Sequence, residues 1–207
     1  MVENYITSRC LISKDAVYLN DKKILDSIDI TSTNFLLSVY QYFDLSYQKF
    51  YKMDNLSKLG WLASEILLKD SFKSNNYSPQ SIGVVLSNMN SSLDADLKYY
   101  QSVNDIASPS LFVYTLPNIV IGEICIRHNF KGENAFFIFE KFDPDFIRQY
   151  VNNLLNNNTL EACVCGWVEF LEDEYIAVLF LVEKEKSLLS VPFTILNINN
   201  TYHLENG

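Results

Sequence analysis

The side chains of this 207-residue sequence that could do chemistry are few, and their spacing favours packing over catalysis. Cys163 and Cys165 alternate along an apolar run, so in a strand both thiols face the same side. That spacing is typical of small buried residues in a reduced compartment, not of a CxxC pair. Of the two histidines, we expect His128 to be paired locally at a helix end and His203 to be solvated. Neither lies near the cysteine pair, so the sequence predicts no metal site and no cofactor.

Serine nucleophiles and paired carboxylates also lack a recognisable setting. Ser108 and the serines at 91–92 lie outside a G-x-S-x-G elbow. Asp94 and Asp96 are two residues apart and do not share a helix face, which argues against an acid and base pair. Gly83 stands alone in an apolar run, so no phosphate-binding loop is predicted.

Composition narrows the classes of partner. The net charge is −9, from 25 acidic and 16 basic residues, which argues against nucleic acids and anionic membrane surfaces. No stretch of 18 apolar residues could span a bilayer, and the first residues do not resemble a signal peptide, so we expect a cytoplasmic protein. With 48% apolar and 14% aromatic residues, the chain can build a sizeable core.

The elements that must position these residues alternate between strands and helices. This alternation predicts an α/β layered fold, which we expect to form one domain over residues 1–207. The first predicted helix is a short one that begins at Ser32. The others cover 54–72, 91–103, two segments of 109–129 divided at Pro117, and a segment that runs from Asp143 into an asparagine run. The predicted strands are 4–12, 17–25 with a turn at Asn20-Asp21, 81–87, 134–139, 163–170, 175–183 and 188–198.

Four segments, in order, resemble β-ketoacyl synthases of the thiolase fold. They are YQKFYKMDNLSKLGWLASEILL (47–68), IGVVLSNMNSSLDAD (82–96), ASPSLFVYTLPNIVIGEICIRHNFKGENAFFI (107–138) and LEACVCGWVEF (160–170). The third is the most specific, because the family has a Ser-Pro-aromatic run, then Pro-Asn, a helix, and a Gly-Pro that opens the strand before the active site.

The resemblance covers about residues 44–185 and implies a thiolase-like half-fold, a mixed and mostly five-stranded sheet with helices packed on it. The third segment is also similar to a short ketosynthase-like subfamily. That subfamily resembles the partner subunits, including chain-length factors, of polyketide and aryl-polyene or flexirubin pigment pathways.

In the family, a nucleophilic cysteine follows this strand on a tight turn into a helix. The helix amino terminus lowers the thiol pKa, and its backbone N–H groups help to bind an oxyanion. Here Gly132 matches the family glycine, Glu133 replaces the proline, and Glu140 or Lys141 takes the place of the cysteine. No cysteine lies within 126–162, and the family's histidine-bearing second half is not matched.

The resemblance therefore implies a non-catalytic or impaired subunit of fatty acid, polyketide or pigment biosynthesis that pairs with a complete ketosynthase. Two alternatives stay open. The chain could retain acyl transferase or malonyl decarboxylase activity, or it could bind an acyl or aromatic small molecule. Glu140 could hold a polar group, close an acyl tunnel or face solvent as a turn residue. The candidate pocket residues are Phe112, Tyr114 and Asn118.

Partnership is the expected role of the strand before the turn, since the family dimerises through it. We expect a homodimer in isolation or a heterodimer with a full-length ketosynthase. An acyl carrier protein is a further candidate partner, but Lys49, Lys52 and Lys58 are the only modest basic cluster for docking one. The expected dimer strand consists of Asn134, Ala135, Phe136, Phe137, Ile138 and Phe139.

Overall fold

A mixed sheet with helices on both faces organises the chain in a computed structural model, which describes residues 3–14, 16–26, 32–104 and 106–204. Within these residues, the strands are β1 (Tyr5–Ile12), β2 (Ala16–Leu19), β3 (Lys22–Asp26), β4 (Ile82–Asn88), β5 (Asn134–Ile138), β6 (Ala162–Leu171), β7 (Glu174–Glu183) and β8 (Val191–Pro192). The helices are α1 (Ser32–Tyr42), α2 (Asn55–Leu68), α3 (Leu93–Val103), α4 (Pro109–Val113), α5 (Ile119–His128), α6 (Pro144–Asn156) and α7 (Ile195–Tyr202).

The sheet has the strand order β3-β2-β1-β7-β6-β4-β5, with β8 paired to β1. β5, β4 and β6 run parallel, whereas β7 is antiparallel to both of its neighbours. This confirms the predicted α/β class and mixed sheet. Five strands, from β1 to β5 along this order, match the expected half-fold, and the β2-β3 hairpin and β8 raise the observed total to eight. No described helix is long and apolar enough to cross a membrane.

Two apolar cores lie on opposite faces of the sheet. The first lies between one face and the helices α1, α2 and α5, and it contains the fully buried Trp61. The second lies under α6 and α7, and it contains Cys163, Cys165 and Trp167. The shared face predicted for the two cysteines is therefore confirmed, and all four cysteines are free thiols.

Helix α2 is buried almost all the way round, which the sequence pattern did not indicate. Asp54 caps it by accepting a hydrogen bond from the Ser57 N–H at 3.1 Å, as expected for an N-cap aspartate. The helical spacing of Leu56, Leu59, Ala63 and Ile66 predicts an apolar stripe that leaves Glu65 outside it, but the Glu65 side chain is only 7% exposed. The reason is that the end of α5 packs on that side of α2, where Arg127 and His128 lie against Glu65.

The predicted strand at 188–198 is wrong for most of its length. Only Val191–Pro192 forms a strand, and the chain turns into α7 from Ile195. Thr194 caps this helix by accepting a hydrogen bond from the Asn197 N–H at 3.3 Å. Ile198 is fully buried in the second core.

The centre of the sheet depends on one glycine in the fourth family-like segment. Gly166 has a φ of +151°, and a Cβ there would lie 1.9 Å from the carbonyl oxygen of Val178 on β7. Only glycine lets β6 and β7 approach this closely.

Candidate functional site

A strand–turn–helix joins β5 to α6, at the place where the family resemblance predicts one. Gly132 leads into β5, and a Cβ at this residue would lie 2.5 Å from the Ile82 carbonyl oxygen. At the other end, Phe139 donates its N–H to the Asn88 carbonyl at 2.9 Å, which holds the turn beside β4. Asp143 then caps α6 by accepting from the Phe146 N–H at 2.9 Å, as predicted. The strand, the turn and the capped helix are therefore all formed.

Residues Glu140 and Lys141 stand on this turn and are both exposed to solvent. Among the described residues, neither makes a hydrogen bond or an ion pair. The cysteines lie elsewhere, and burial raises the pKa of the Cys165 thiol and raises that of Cys125 to about 11. No described cysteine can therefore act as a thiolate at this turn.

A cavity of about 640 Å³ opens beside the turn, and α7 supplies its opposite wall. Asn199, Tyr202 and His203 follow helical spacing, so they face the same side of α7 and its end. The Tyr202 ring lies 5.0 Å from that of Phe142, and burial, with a smaller effect of Glu169, raises the Tyr202 pKa. His203 is exposed, as expected, but it lies at the same cavity as the turn.

This meeting of His203 with the turn was missed by sequence reasoning. The signal for it was the helical spacing of Ile195, Ile198 and Tyr202, which a strand assignment over the same residues concealed. The second histidine behaves as predicted, because His128 Nε2 lies 2.9 Å from Glu65 Oε1 at the end of α5.

The three predicted pocket residues do not converge on this cavity. Phe112 is 59% exposed, and Asn118 also faces solvent. Tyr114 is buried and donates its hydroxyl to Glu123 Oε1 at 3.3 Å, and burial together with Glu123 raises its pKa. Glu123 is in turn 2.8 Å from Lys49 Nζ. Tyr114 therefore belongs to a buried polar network beneath α4.

The lysine cluster is partly engaged within the chain. Lys49 is held by Glu123, and Lys58 lies over the Phe50 ring with its ammonium 5.9 Å from the centroid. Desolvation also lowers the pKa of Lys58. Lys52 remains exposed, so the positive surface that an acidic carrier protein would meet is small.

The outer edge of β5 is a row of backbone groups that no described strand pairs. Val84 donates its N–H to the Glu133 carbonyl at 3.2 Å, and Phe139 donates to Asn88. Successive residues of a strand point their backbone groups to opposite sides. The odd-numbered residues from Glu133 to Phe139 therefore face β4, and the even-numbered residues between them point their backbone groups away from it. These residues are Asn134, Phe136 and Ile138, and the Ile138 side chain is 48% exposed.

An aromatic cluster supports this edge from the α6 side. The Phe137 ring lies 4.8 Å from that of Phe146 and 5.1 Å from that of Tyr150, both edge-on. Phe139 completes the cluster, 4.9 Å from Phe146. Such edge-to-face pairs stabilise beyond their buried area, so β5 is fixed against α6 while its outer edge stays open.

Comparison with known proteins identifies the fold. No protein-family model and no curated protein match the sequence. Among solved structures, a chain of the ishigamide ketosynthase/chain length factor matches with 16% identity and a TM-score of 0.62, over 87% of this chain and 62% of that one. A type II polyketide synthase ketosynthase bound to its acyl-carrier protein and a hexaketide matches with 15% identity and a TM-score of 0.60, over 88% of this chain and 62% of that one.

A third match is the complex of a ketosynthase with its chain length factor from Xenorhabdus doucetiae, with 11% identity and a TM-score of 0.55 over 90% of this chain and 81% of that one. These similarities show that the chain has the ketosynthase-like fold expected from its sequence. The chain spans about 62% of the length of the first two matched structures.

Proposed function

We propose that this chain is a non-catalytic ketosynthase-like subunit that pairs with a complete ketosynthase through the free edge of β5. Polyketide, fatty acid or aryl-polyene and flexirubin-type pigment biosynthesis in the cytoplasm is the proposed setting. The observation that carries the proposal is the turn from β5 to α6, which keeps its caps but presents Glu140 and Lys141 to solvent.

The chemistry of condensation explains why this turn cannot carry it. A ketosynthase nucleophile must take an acyl group as a thioester, which requires a thiolate. Neither Glu140 nor Lys141 can form a thioester, and the described thiols are buried or partly buried away from the turn. A loss of covalent chemistry with retention of the scaffold is the pattern expected of a subunit that supports another subunit's reaction.

The proposal of a partner rests on the edge of β5. An exposed apolar strand edge favours pairing with another chain, and proteins normally cover or charge such edges. Solved neighbours of this fold include a ketosynthase in complex with its chain length factor, which supports pairing between a complete and an incomplete subunit. In isolation we expect a homodimer through the same edge, because identical edges can pair about a two-fold axis.

A second candidate function is supported by the cavity at the turn. Its floor of Phe139, Phe142 and Tyr202 is apolar, and its rim carries polar groups, which is the usual composition of a small-molecule site. An acyl or aromatic ligand would fit this composition.

Incubation with malonyl- and acetyl-loaded carrier protein tests the absence of catalysis. Intact-mass spectrometry is expected to find no acyl adduct on this chain, and CO₂ release is expected to stay at the rate without protein. A complete ketosynthase serves as the positive control. An acyl adduct or turnover above background would overturn the non-catalytic assignment, and Glu140→Gln and Lys141→Gln would then locate the group responsible.

A further inference from the structure

A second cavity, of about 590 Å³, lies at the opposite end of the sheet from the turn. It opens between the segment 43–46 after α1, the end of α2 and the end of α5. Since α5 ends at His128 and the chain then enters β5 at Asn134, this cavity lies near the amino end of β5. The turn at 139–143 lies at the carboxyl end, so the two sites are separate.

The cavity contains an arginine whose guanidinium is held on one edge and lies near two aromatic rings. Arg127 Nε and Nη2 each lie 3.1 Å from an oxygen of Glu65, which gives a two-point contact along one edge. The rings of Tyr47 and Trp61 lie 5.2 and 5.9 Å from its central carbon. A guanidinium fixed in this way loses little freedom when it binds a further group.

The carboxylate that holds the arginine is ionised and fully used. Burial by itself would raise the pKa of Glu65, but hydrogen bonds from His128 and Arg127 outweigh this effect and lower the pKa. His128 Nε2 lies 2.9 Å from the same Glu65 oxygen that accepts from Arg127 Nε. Glu65 therefore has little capacity left for a ligand.

The other edge of the guanidinium is available. Among the described residues, the hydrogen bonds of Arg127 run from Nε and Nη2 to Glu65 and none runs from Nη1, and the side chain is 34% exposed at the cavity. Nη1 and the second N–H of Nη2 form an end-on fork that matches the two oxygens of a carboxylate. Lys69 adds a second cation to the lining, although its ammonium also donates to the Phe43 carbonyl at 3.3 Å.

Two features oppose an anion here. Asp44 lies exposed on the rim, and the carboxyl ends of α1, α2 and α5 all converge on the cavity. Helix carboxyl ends favour cations, which accounts for the presence of Lys69, Arg127 and His128. The effects of Asp44 and of the helix ends act at a distance and are weakened by solvent. The free fork of Arg127 offers direct, charge-assisted hydrogen bonds, so we expect the ligand to carry a negative charge.

The remaining walls are aromatic. Phe72 packs edge-on against Phe130 with the ring centroids 5.7 Å apart, and Phe130 stacks on His128 at 5.3 Å. Phe43 lies on the opposite side of the opening. Apolar surface of this kind beside one fixed polar anchor is typical of a site that binds an amphiphilic small molecule.

We infer that this cavity binds a carboxylate that carries an apolar or aromatic tail. The carboxylate binds the free edge of Arg127, and the tail contacts Phe43, Phe72 and Phe130. Acyl and aryl carboxylates share this chemistry, and the size of the cavity suits either class.

Titration calorimetry with four probes tests the inference: octanoate, phenylacetate, octanol and octylamine. Octanoate or phenylacetate is expected to bind at least about tenfold more tightly than octanol and octylamine, because octanol offers the fork only one neutral acceptor and protonated octylamine offers none. The stronger of the two carboxylates distinguishes an acyl from an aryl tail. Equal or tighter binding of octylamine, or no saturable binding of either carboxylate, would overturn the inference.

Arg127→Lys keeps the charge and removes the fork, so carboxylate affinity is expected to fall by about tenfold or more. Arg148→Lys is the matched control, since Arg148 lies on α6 and pairs with Asp145. If Arg127→Lys does not fold, Phe72→Ala replaces it, because this half-buried residue lines the cavity and takes no part in the hydrogen bonds between Arg127 and Glu65. Unchanged carboxylate affinity in the folded variant would contradict the inference. The test of acyl transfer concerns the turn at the other end of β5, and the test of pairing uses Ile138→Pro, so a failure of this inference can be told apart from a failure of the proposed function.

Discussion

The two edges of the sheet are built in opposite ways. β3 closes one edge with Lys22, Lys23 and Asp26 exposed, and Lys23 Nζ lies 2.9 Å from Asp26 Oδ1. β5 closes the other edge with Phe136 and Ile138, and its outward backbone groups have no partner among the described residues. Charges on an edge strand oppose pairing with another chain, whereas an apolar edge invites it. The contrast teaches that charged side chains guard one edge of this sheet, whereas the other edge is apolar and open, as the proposed pairing requires.

The hairpin that forms the protected edge is defined locally. Asn20 and Asp21 both adopt positive φ, as a tight two-residue turn requires, and Arg9 pairs with Asp21 across the hairpin. The open edge has no comparable closure. β5, which forms this open edge, lies at the end of the third family-like segment. Helix α6 packs against it from one face.

Of these substitutions, Ile138→Pro should have the largest effect, because it closes the open edge of β5 to another strand. The Ile138 N–H points away from β4, so proline removes an outward donor without removing a hydrogen bond of the sheet. We expect the dissociation constant of the homodimer to rise by at least about a hundredfold, measured by sedimentation velocity. Ile138→Val, which keeps the N–H, is the control. A proline variant that associates as the wild type does would show that the β5 edge is not the interface.

Phe137→Ala should weaken the support of the open edge and leave its backbone groups in place. Removing this half-buried ring from contact with Phe146 and Tyr150 is expected to lower the free energy of unfolding by about 2 kcal/mol. Urea denaturation monitored by circular dichroism gives this value. Leu25→Ala on β3 is the matched control, and we expect a smaller loss there, because the leucine side chain is smaller and only partly buried against the first core. An equal loss of unfolding free energy at both positions would show that the aromatic cluster does not give β5 more support than β3 has.

Lys22→Val combined with Lys23→Val should convert the protected edge into a second open one. We expect association beyond the dimer, with the apparent association constant raised by about tenfold, because charge no longer opposes strand pairing. Light scattering over a range of concentrations measures the change. Adding Ile138→Pro should limit the species to those formed through β3, and the absence of any larger species would contradict the protective role of the lysines.

Asp26→Asn should have the smallest effect. Its ion pair with Lys23 is exposed to solvent, where Coulomb attraction is weak and screened by salt. We expect neither the urea midpoint nor the oligomeric state to change measurably at physiological salt. A clear loss of stability would show that the pair fixes the hairpin, and protection of this edge would then depend on that pair.

The sequence predicted what local patterns determine. β5, its turn and α6 follow from an apolar run, Asp143 as a cap and Pro144 in the first helical position, all within a short segment. The assignment of Glu140 and Lys141 to the turn came from the family resemblance, by counting forward from Gly132. Asn20 and Asp21 likewise predicted the hairpin turn correctly.

The features that the sequence did not predict depend on distant packing. The burial of Glu65 results from α5 covering that side of α2, which the periodicity of α2 alone does not contain. The approach of His203 to the turn requires α7 to pack beside α6, and an apolar segment of that length is ambiguous between strand and helix. The cavity at Arg127 combines residues from three helices and was not predicted for the same reason.

Native mass spectrometry of this chain mixed with a complete ketosynthase from the same genome and acyl-loaded carrier protein tests the central claim most directly. We predict a one-to-one complex of the two subunits that carries the acyl group only on the ketosynthase, and the loss of this complex with Ile138→Pro. An acyl group on this chain, or a complex unaffected by Ile138→Pro, would contradict the account.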